Sequence, residues 1–170
     1  MRLVEGTAEV ENVDAFVGEL GDVGETHDCA VQAFDARYVA GRAHLESALE
    51  HAERAFERGE NVARDRAVEV LLYAAGRRQI RRALTMGVDE GETPAVVLVA
   101  ADPGVRDPDA VEAAAANAVK ERLAPGGGLE AREDERVCEF FDVGTAERAA
   151  TDASLEDLVR ERVALLDVEK

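Results

Sequence analysis

The sequence predicts an α+β fold in which a small twisted sheet of a few strands has several helices packed around it. Apolar residues recur with helical spacing over residues 42–58, alternate along residues 29–36, and form an unbroken run between turn residues at 94–101. The chain has 170 residues, of which 46% are hydrophobic, enough to bury a core. Because no internal repeat and no long linker divides it, we expect a single domain over residues 1–170.

The first part of the chain predicts a strand, a helix and a second strand. Residues 1–10 are weakly patterned and fit an edge strand, and helical spacing follows them. Gly21 and Gly24 are expected to end that helix. Residues 29–36 alternate as a strand does. The predicted buried face of the helix consists of Val13, Phe16, Val17 and Leu20.

The middle of the chain predicts two helices of different character. Residues 42–58 have one apolar stripe, and Gly59 ends the helix. Residues 70–75, within the segment 63–86, are apolar all round, so a helix containing them must be covered on most sides. Gly76 interrupts this run, and four arginines follow it. The stripe of the first helix consists of Leu45, Ala48, Leu49, Ala52 and Phe56.

The second half begins with the apolar run at 94–101, which is typical of a strand buried on both faces. Asp107 followed by Pro108 predicts a capped helix start. The Pro-Gly-Gly-Gly segment at 125–128 is expected to stop that helix and to form a mobile loop.

The chain closes with a further predicted helix. An amphipathic stretch lies around residues 137–141, and Ser154 with Asp157 has the spacing of a capping box. The helix that this box opens has one apolar side, formed by Leu155, Leu158, Val159, Val163 and Leu166.

The composition is strongly acidic, with 37 Asp and Glu against 20 Lys and Arg and a net charge of -17. Only two of the basic residues are lysines, which is typical of proteins from salt-loving microbes, such as halophilic archaea. We therefore interpret the acidity as salt adaptation, and the alternative is an acidic docking surface. Any basic patch that remains in such a chain becomes informative.

Several classes of protein are excluded by the same counts. The hydrophobic fraction is too high for a disordered acidic tail, and no apolar run approaches the roughly 18 residues of a membrane span. The first residues do not resemble a signal peptide. Two cysteines fit neither a disulfide scaffold nor a four-ligand zinc site. We expect a soluble, cytoplasmic protein with no membrane partner.

No combination of residues predicts an active site. His44 and His51 are seven residues apart on one helix, about 10 Å along its axis, which is too far for one metal ion. Ser47 and Ser154 suggest no triad, and residues 126–128 lack the Lys-Ser/Thr of a phosphate loop. We expect surface histidines, core cysteines, no metal, no cofactor and no enzymatic activity; a small enzyme with an unrecognised site is the alternative.

Arginine is unevenly distributed along the chain. Residues 58–82 contain seven arginines and three acids, and no acid lies between Glu69 and Asp89. On one helix, two like-charge pairs would form, Arg77 with Arg81 and Arg78 with Arg82, and each would cost about 0.2–0.5 kcal/mol. An anionic partner would offset this repulsion, and phosphate matches the guanidinium fork. Distant carboxylates of the same protein are the alternative partner.

An amide and an apolar side chain lie among these arginines, so the patch could hold a single-stranded base while it clamps the backbone. The candidate binding site consists of Arg64, Arg77, Arg78, Gln79, Ile80, Arg81 and Arg82.

The string from Asn61 to Ala83 resembles the signature of the PRPK-binding (TPRKB-type) accessory subunits of the KEOPS complex. The core of that signature is Glu-Ile/Val-Leu-Leu-Tyr-x-x-Gly-x-Arg-Gln-Ile, which residues 69–80 match. Residues 158–166 resemble the closing segment of the family, and the length and element order match over essentially the whole chain. The chain departs from the family in its acid load and in having arginine where lysine is common.

The resemblance implies a non-catalytic subunit of the complex that makes threonylcarbamoyladenosine in tRNAs reading codons that begin with A. Its implied partners are a PRPK-type kinase/ATPase, which it binds and regulates, and the single-stranded 3′ CCA end of tRNA, which the arginine-rich patch would hold. The alternative is an adaptor that activates the kinase without contacting RNA.

The kinase site is expected on the closing helix. Residues 70–75 and the closing helix offer more apolar surface than a 170-residue domain is expected to cover, and an exposed apolar stripe usually marks a partner site. The predicted kinase contacts are Leu155, Leu158, Val159, Val163 and Leu166.

Overall fold

The structure is a computed structural model that describes residues 1–169, and it confirms the α+β fold class. It contains three strands, eight α-helices and three short 3-10 turns within the described residues. In chain order the strands and helices are β1 (Arg2–Val10), α1 (Val13–His27), β2 (Cys29–Asp35), α2 (Arg42–Arg58), α3 (Arg66–Ala75), α4 (Ile80–Ala83), β3 (Gly91–Ala101), α5 (Pro108–Lys120), α6 (Asp134–Phe141), α7 (Thr145–Ala149) and α8 (Leu155–Glu169).

The chain forms two compact units. Unit 1 comprises Met1–Ala36 and Gly87–Ala131, and unit 2 comprises Arg37–Met86 together with the chain from Arg132 onward. The expectation of a single domain over residues 1–170 stays a prediction.

Unit 1 is an antiparallel three-stranded sheet in the order β1-β3-β2, packed against α1 and α5. The central position of β3 explains its continuous apolar run, because Ala95–Ala100 are buried on both faces of the strand. As predicted, β1 is an edge strand, and Asp107 caps α5 by accepting a hydrogen bond from the amide of Ala110 (3.2 Å).

The expected end of α1 at its glycines is wrong. The helix continues through both of them and ends at Asp28, which adopts a left-handed conformation (φ 54°). Gly24 lies so close to β2 that a Cβ there would be 2.6 Å from the carbonyl oxygen of Cys29. The buried face also differs, because Val17 is 53% exposed and Val23 takes its place in the core.

The glycine-rich segment at 125–128 is docked on β1. Thr7 and Ala124 exchange two backbone hydrogen bonds of 2.8 Å, and the amide of Leu129 donates to the carboxylate of Glu5 (2.7 Å). A Cβ on Gly127 would be 2.6 Å from the carbonyl oxygen of Gly6. Glycine permits this close approach, and the segment covers part of an open sheet edge.

Unit 2 is helical, and α2 packs against both α3 and α8. The prediction that residues 70–75 are covered all round is confirmed, because all six are buried. Within the stripe of α2, only Phe56 is half-buried rather than buried. The capping box of α8 is also confirmed, because Ser154 and Asp157 each accept a hydrogen bond from the backbone amide of the other (3.1 Å).

Candidate nucleic-acid interface

The arginine-rich stretch is organised by α3. Asp65 caps the start of the helix by accepting from the amide of Val68 (3.1 Å), and the helix ends at Gly76 in a left-handed conformation (φ 61°). The amides of Gly76 and Arg77 bond back to carbonyl groups of the last turn (3.0 Å each), as in a Schellman motif. The chain therefore leaves the helix axis at Gly76. Residues 77–85, called the arginine segment below, continue as a non-helical stretch, the four-residue helix α4 and part of a 3-10 turn.

This break corrects the expected helical pairing of the arginines. Arg77 and Arg78 precede α4, whereas Arg81 and Arg82 lie within it. The members of each pair, Arg77 with Arg81 and Arg78 with Arg82, therefore do not lie one turn apart on a continuous helix. The repulsion expected from helical spacing does not apply to them.

Arg77 points into unit 2 rather than into solvent. Its Nη2 donates to the carbonyl oxygen of Phe140, and its guanidinium carbon lies 4.8 Å from the centre of the Phe140 ring. Its Nε is buried without a hydrogen-bond partner among residues 1–169. Burial, followed by the positive charge of Arg82, lowers the pKa of Arg77 from its ordinary value. Arg77 therefore anchors the arginine segment to α6.

Arg78 also has an internal partner. It is exposed, but its Nη1 donates to the backbone carbonyl oxygen of Glu169 at the end of α8 (3.0 Å). A cation at this end of a helix is favourable, because the last carbonyl groups have no partner within the helix.

Apart from the buried Ala83, the remaining members of the segment face solvent. Gln79, Ile80, Arg81 and Arg82 are all exposed, with Ile80 at 45%. Arg81 and Arg82 have no ion pair with any residue from 1 to 169. Leu84 is 57% exposed and was missed by the sequence reasoning, although its spacing of four residues from Ile80 could have placed it on the same side.

Arg64 lies at the other end of α3. It precedes a ten-residue helix that the arginine segment follows, and ten residues of helix span about 15 Å. The loop around Arg64 is fixed by Glu69, whose buried carboxylate accepts from the amides of Val62 (2.9 Å) and Ala63 (3.4 Å). The structure therefore separates Arg64 from the other six predicted residues.

A cavity of about 940 Å³ opens between the arginine segment and α6. Two aromatic rings line it, those of Tyr38 and Phe140, which contact each other edge to face with centroids 5.6 Å apart. Neither ring was singled out from the sequence, because Tyr38 lies about forty residues before the arginines and Phe140 about sixty after them. The charged residues that line the cavity are Arg77, Arg82, Arg136, Glu133, Asp134, Glu135 and Glu139. We call this space the α6 cavity.

The expected kinase stripe on α8 is not exposed. Leu155, Leu158, Val159, Val163 and Leu166 are all buried, and α8 packs against α2, α3 and α6. The reasoning that this domain has too much apolar surface to cover is therefore wrong. The outward side of α8 has two other apolar residues, Leu165 and Val168.

The expectation of surface histidines is wrong for His44, which is fully buried. Its Nδ1 accepts from the amide of Ala40 (3.0 Å), and its Nε2 lies 2.7 Å from the carbonyl oxygen of Ala74. Since a carbonyl can only accept, Nε2 holds the proton, and the ring is neutral. Burial lowers its pKa to about 4. His51 instead stacks on Tyr73 and contacts Asp167 (2.6 Å).

Other chemistry is sparse among residues 1–169. No group of three or more His, Cys, Asp or Glu side chains in this range has metal-binding geometry. Cys29 is buried and Cys138 half-buried, and neither forms a disulfide bond within residues 1–169. No helix in the same range is long and apolar enough to cross a membrane.

Taken together, these features define an α+β protein with an exposed cationic segment that Arg77 and Arg78 anchor through hydrogen bonds to α6 and α8. A family model described as kinase binding protein CGI-121 matches residues 8–167. The match covers nearly the whole chain, so the protein belongs to the CGI-121 family of kinase binding proteins. No curated protein matches the sequence. Membership of this family supports an accessory role in binding a kinase.

Proposed function

We propose that the protein is a non-catalytic subunit of the KEOPS complex that regulates a PRPK-type kinase and holds the 3′ CCA end of tRNA. The observation that carries the RNA part is that Ile80, Arg81 and Arg82, three consecutive residues of the anchored arginine segment, are all exposed. The kinase part is supported by membership of the CGI-121 family.

The exposed side chains suit a single strand better than a duplex. Arg81 and Arg82 offer guanidinium forks that form no ion pair with the described part of the chain, and these forks match backbone phosphates. Ile80 and Leu84 offer an apolar surface against which an unstacked base can pack. The amide of Gln79 can bond to a base edge. Arg77 and Arg78 contribute by bracing the segment, and Arg64 lies too far along α3 to join the same contact.

The overall charge sets the salt range in which this site works. With a net charge of -17, the protein repels RNA at long range when salt is low. At about 1 M salt the Debye length falls to about 3 Å, so the repulsion vanishes together with long-range attraction. Direct phosphate bonds and base packing remain, and packing contributes about 1–3 kcal/mol per base.

For the kinase, the outward side of α8 replaces the buried stripe as the proposed surface. Leu165 and Val168 are exposed there, three residues apart and therefore on one face. A kinase contact at these two residues would leave the core of unit 2 intact. Co-purification of Leu165→Glu and of Val168→Glu with a PRPK-type kinase tests this, with Val17→Glu on α1 as the matched control. Loss of the kinase from the α8 variants alone is the expected result, whereas retention by both removes α8 from the interface.

The RNA part is tested with the unmodified chain. Its affinity for a full-length tRNA is compared with its affinity for the same tRNA trimmed of CCA, at 0.2 M and 2 M salt. We expect trimming to weaken binding at least tenfold at both. Equal affinities would remove the CCA end from the site. Absence of binding to either tRNA would favour the adaptor without RNA contact, an alternative supported by the internal bonds of Arg77 and Arg78.

A further inference from the structure

Thr85 is an exposed hydroxyl on the wall of the α6 cavity. It lies in the 3-10 turn Leu84–Met86, directly after α4. Its side chain forms no hydrogen bond with any other residue in the range 1–169. Three arginines line the same cavity: Arg77, Arg82 and Arg136. A hydroxyl without a hydrogen-bond partner in this range therefore lines a cavity that three arginines from different elements share with four carboxylates.

Two of these arginines, Arg77 and Arg82, form no ion pair with any residue from 1 to 169. Arg82 has no ion pair within residues 1–169, and its charge acts on Arg77 strongly enough to oppose protonation there. Arg77 also has a buried Nε with no hydrogen-bond partner in the same range. An anion between the two guanidinium groups would offset the repulsion between their charges. Arg136 differs, because it already pairs with Glu133 and packs over the ring of Tyr38.

The carboxylates that line the α6 cavity determine which kind of anion can bind there. Glu133 is engaged by Arg136, and Asp134 accepts from Arg132 (2.9 Å), which leaves Glu135 and Glu139 as uncompensated negative charges among the described residues. These carboxylates oppose a free phosphate ion. A phosphate attached to the protein next to the arginines is held there at a high effective concentration and tolerates that opposition.

We propose that Thr85 is a phosphorylation site and that the phosphate formed there is bound by Arg77 and Arg82. In the reaction, Thr85 Oγ1 attacks the γ-phosphorus of ATP and forms the new P–O bond. The bond from that phosphorus to the bridging oxygen breaks, and ADP leaves with the electron pair. The hydroxyl proton passes to the catalytic carboxylate of the kinase, so the step needs only MgATP and a protein kinase.

The residues before Thr85 indicate the class of kinase. Arg81 and Arg82 stand four and three residues upstream and are exposed, the charge pattern that kinases with acidic substrate grooves select. Thr151 has Arg148 at the same distance of three residues and is also exposed. Thr151 does not line the α6 cavity, which makes it an internal control for added charge without the arginine cradle.

Phosphorylation would act as a switch on RNA binding, and this consequence rests on the proposed function. The phosphate adds about -1.5 to -2 charges and three acceptor oxygens. It would occupy Arg82, so that this guanidinium no longer reaches an RNA phosphate. For each RNA phosphate that the protein no longer neutralises, the slope of log K against log salt becomes shallower by about 0.7.

The test uses the full chain, MgATP and a purified kinase that requires arginine three residues before its acceptor. Thr151→Val leaves Thr85 as the site in question, and Thr85→Val leaves Thr151. Mass spectrometry locates the phosphate, and ³¹P NMR titration compares the two phosphorylated variants. We expect phosphorylation at Thr85, a second phosphate pKa clearly below that at phosphorylated Thr151, and loss of this difference in Arg82→Gln. Inorganic phosphate alone should leave the Arg82 side-chain resonances unchanged.

No phosphate at Thr85, or a phosphate there that titrates as the one at Thr151 does, overturns the proposal. A tRNA-binding measurement on the same samples separates it from the proposed function. We expect phosphorylated Thr85 to weaken tRNA binding on the order of tenfold, with no change for phosphorylated Thr151. A phosphate that is held by the arginines without any change in tRNA binding supports the modification site and contradicts the RNA site.

Discussion

The closing helix and the arginine segment both combine apolar with charged residues, and the structure uses them in opposite ways. In α8 the apolar stripe faces α2 and α3, so Leu158 and Val163 are buried. In the arginine segment Ile80 and Leu84 face solvent between arginines. The difference in burial between α8 and the arginine segment follows from the lengths of their helices. A fifteen-residue helix can place a continuous stripe against a core, whereas the four-residue α4 after a left-handed glycine cannot. The spacing of apolar residues shows which side of a helix or strand is apolar. Whether that side is buried depends on the other elements that pack against it.

The largest expected effect separates the two sides of α8. Leu158→Glu places a carboxylate in the core of unit 2 and should lower the free energy of unfolding by about 3–5 kcal/mol or prevent folding. Leu165→Glu, on the outward side of the same helix, should change it by less than about 0.5 kcal/mol. Urea unfolding followed by circular dichroism measures both. Comparable losses in the two variants would show that the inward and outward sides of α8 have been misassigned.

A pH dependence tests the buried contact between α2 and α3. His44 has a pKa of about 4 when folded and about 6.5 when unfolded, so between these values the unfolded chain binds more protons. The stability due to the neutral ring is complete above pH 6.5 and is lost as the pH falls. We expect a loss of about 1.5 kcal/mol between pH 6.5 and pH 5 from this group. In His44→Asn the free energy of unfolding should be lower at neutral pH and depend less on pH in this window. An unchanged slope would mean that His44 titrates normally.

A smaller loss of stability is expected from alanine substitutions at the glycines that end α2 and α3. Gly59 and Gly76 both have positive φ (68° and 61°), so alanine should cost about 1 kcal/mol of stability at either position. A Cβ has room at both positions, since it meets open space at Gly59 and only an ordinary contact of 3.4 Å with the carbonyl oxygen of Arg162 at Gly76. Because Gly76 directly precedes the arginine segment, only Gly76→Ala should shift that segment and weaken tRNA binding. Equal RNA affinity in both variants would argue that the turn at Gly76 does not position the site.

Much of the fold could be predicted because the relevant signals are local. The caps at Asp107 and Ser154, the helix end at Gly59 and the continuous apolar run of β3 can each be recognised from residues close together in the sequence. The end of α1 could not be predicted in this way. Gly24 lies inside the helix because the close approach to β2 leaves no room for a Cβ, and this is a contact between two elements. Propensity treats such a glycine as a breaker, although it is tolerated inside a helix at a cost of about 1 kcal/mol.

The candidate site also has features that the sequence could indicate and features that it could not. The sequence indicated which arginines stand out from an acidic chain, and the exposure of Arg81 and Arg82 agrees with that choice. It could not indicate that Arg77 packs on Phe140 or that Arg78 bonds to Glu169, because these partners lie 63 and 91 residues away. Arg64 was grouped with the others by its position in the chain, and ten helical residues separate it from them.

The most direct test of the RNA surface is the tRNA affinity of Ile80→Glu beside that of Val17→Glu. Both variants add one carboxylate at an exposed aliphatic residue, one within the arginine segment and one on α1. Because base packing contributes about 1–3 kcal/mol, Ile80→Glu should weaken binding at least about tenfold at both 0.2 M and 2 M salt, and only for tRNA that retains CCA. Val17→Glu should bind as the unmodified protein does. Equal affinities of the two variants for intact tRNA, or an Ile80→Glu defect that disappears at 2 M salt, would contradict a short-range contact between this segment and the tRNA end.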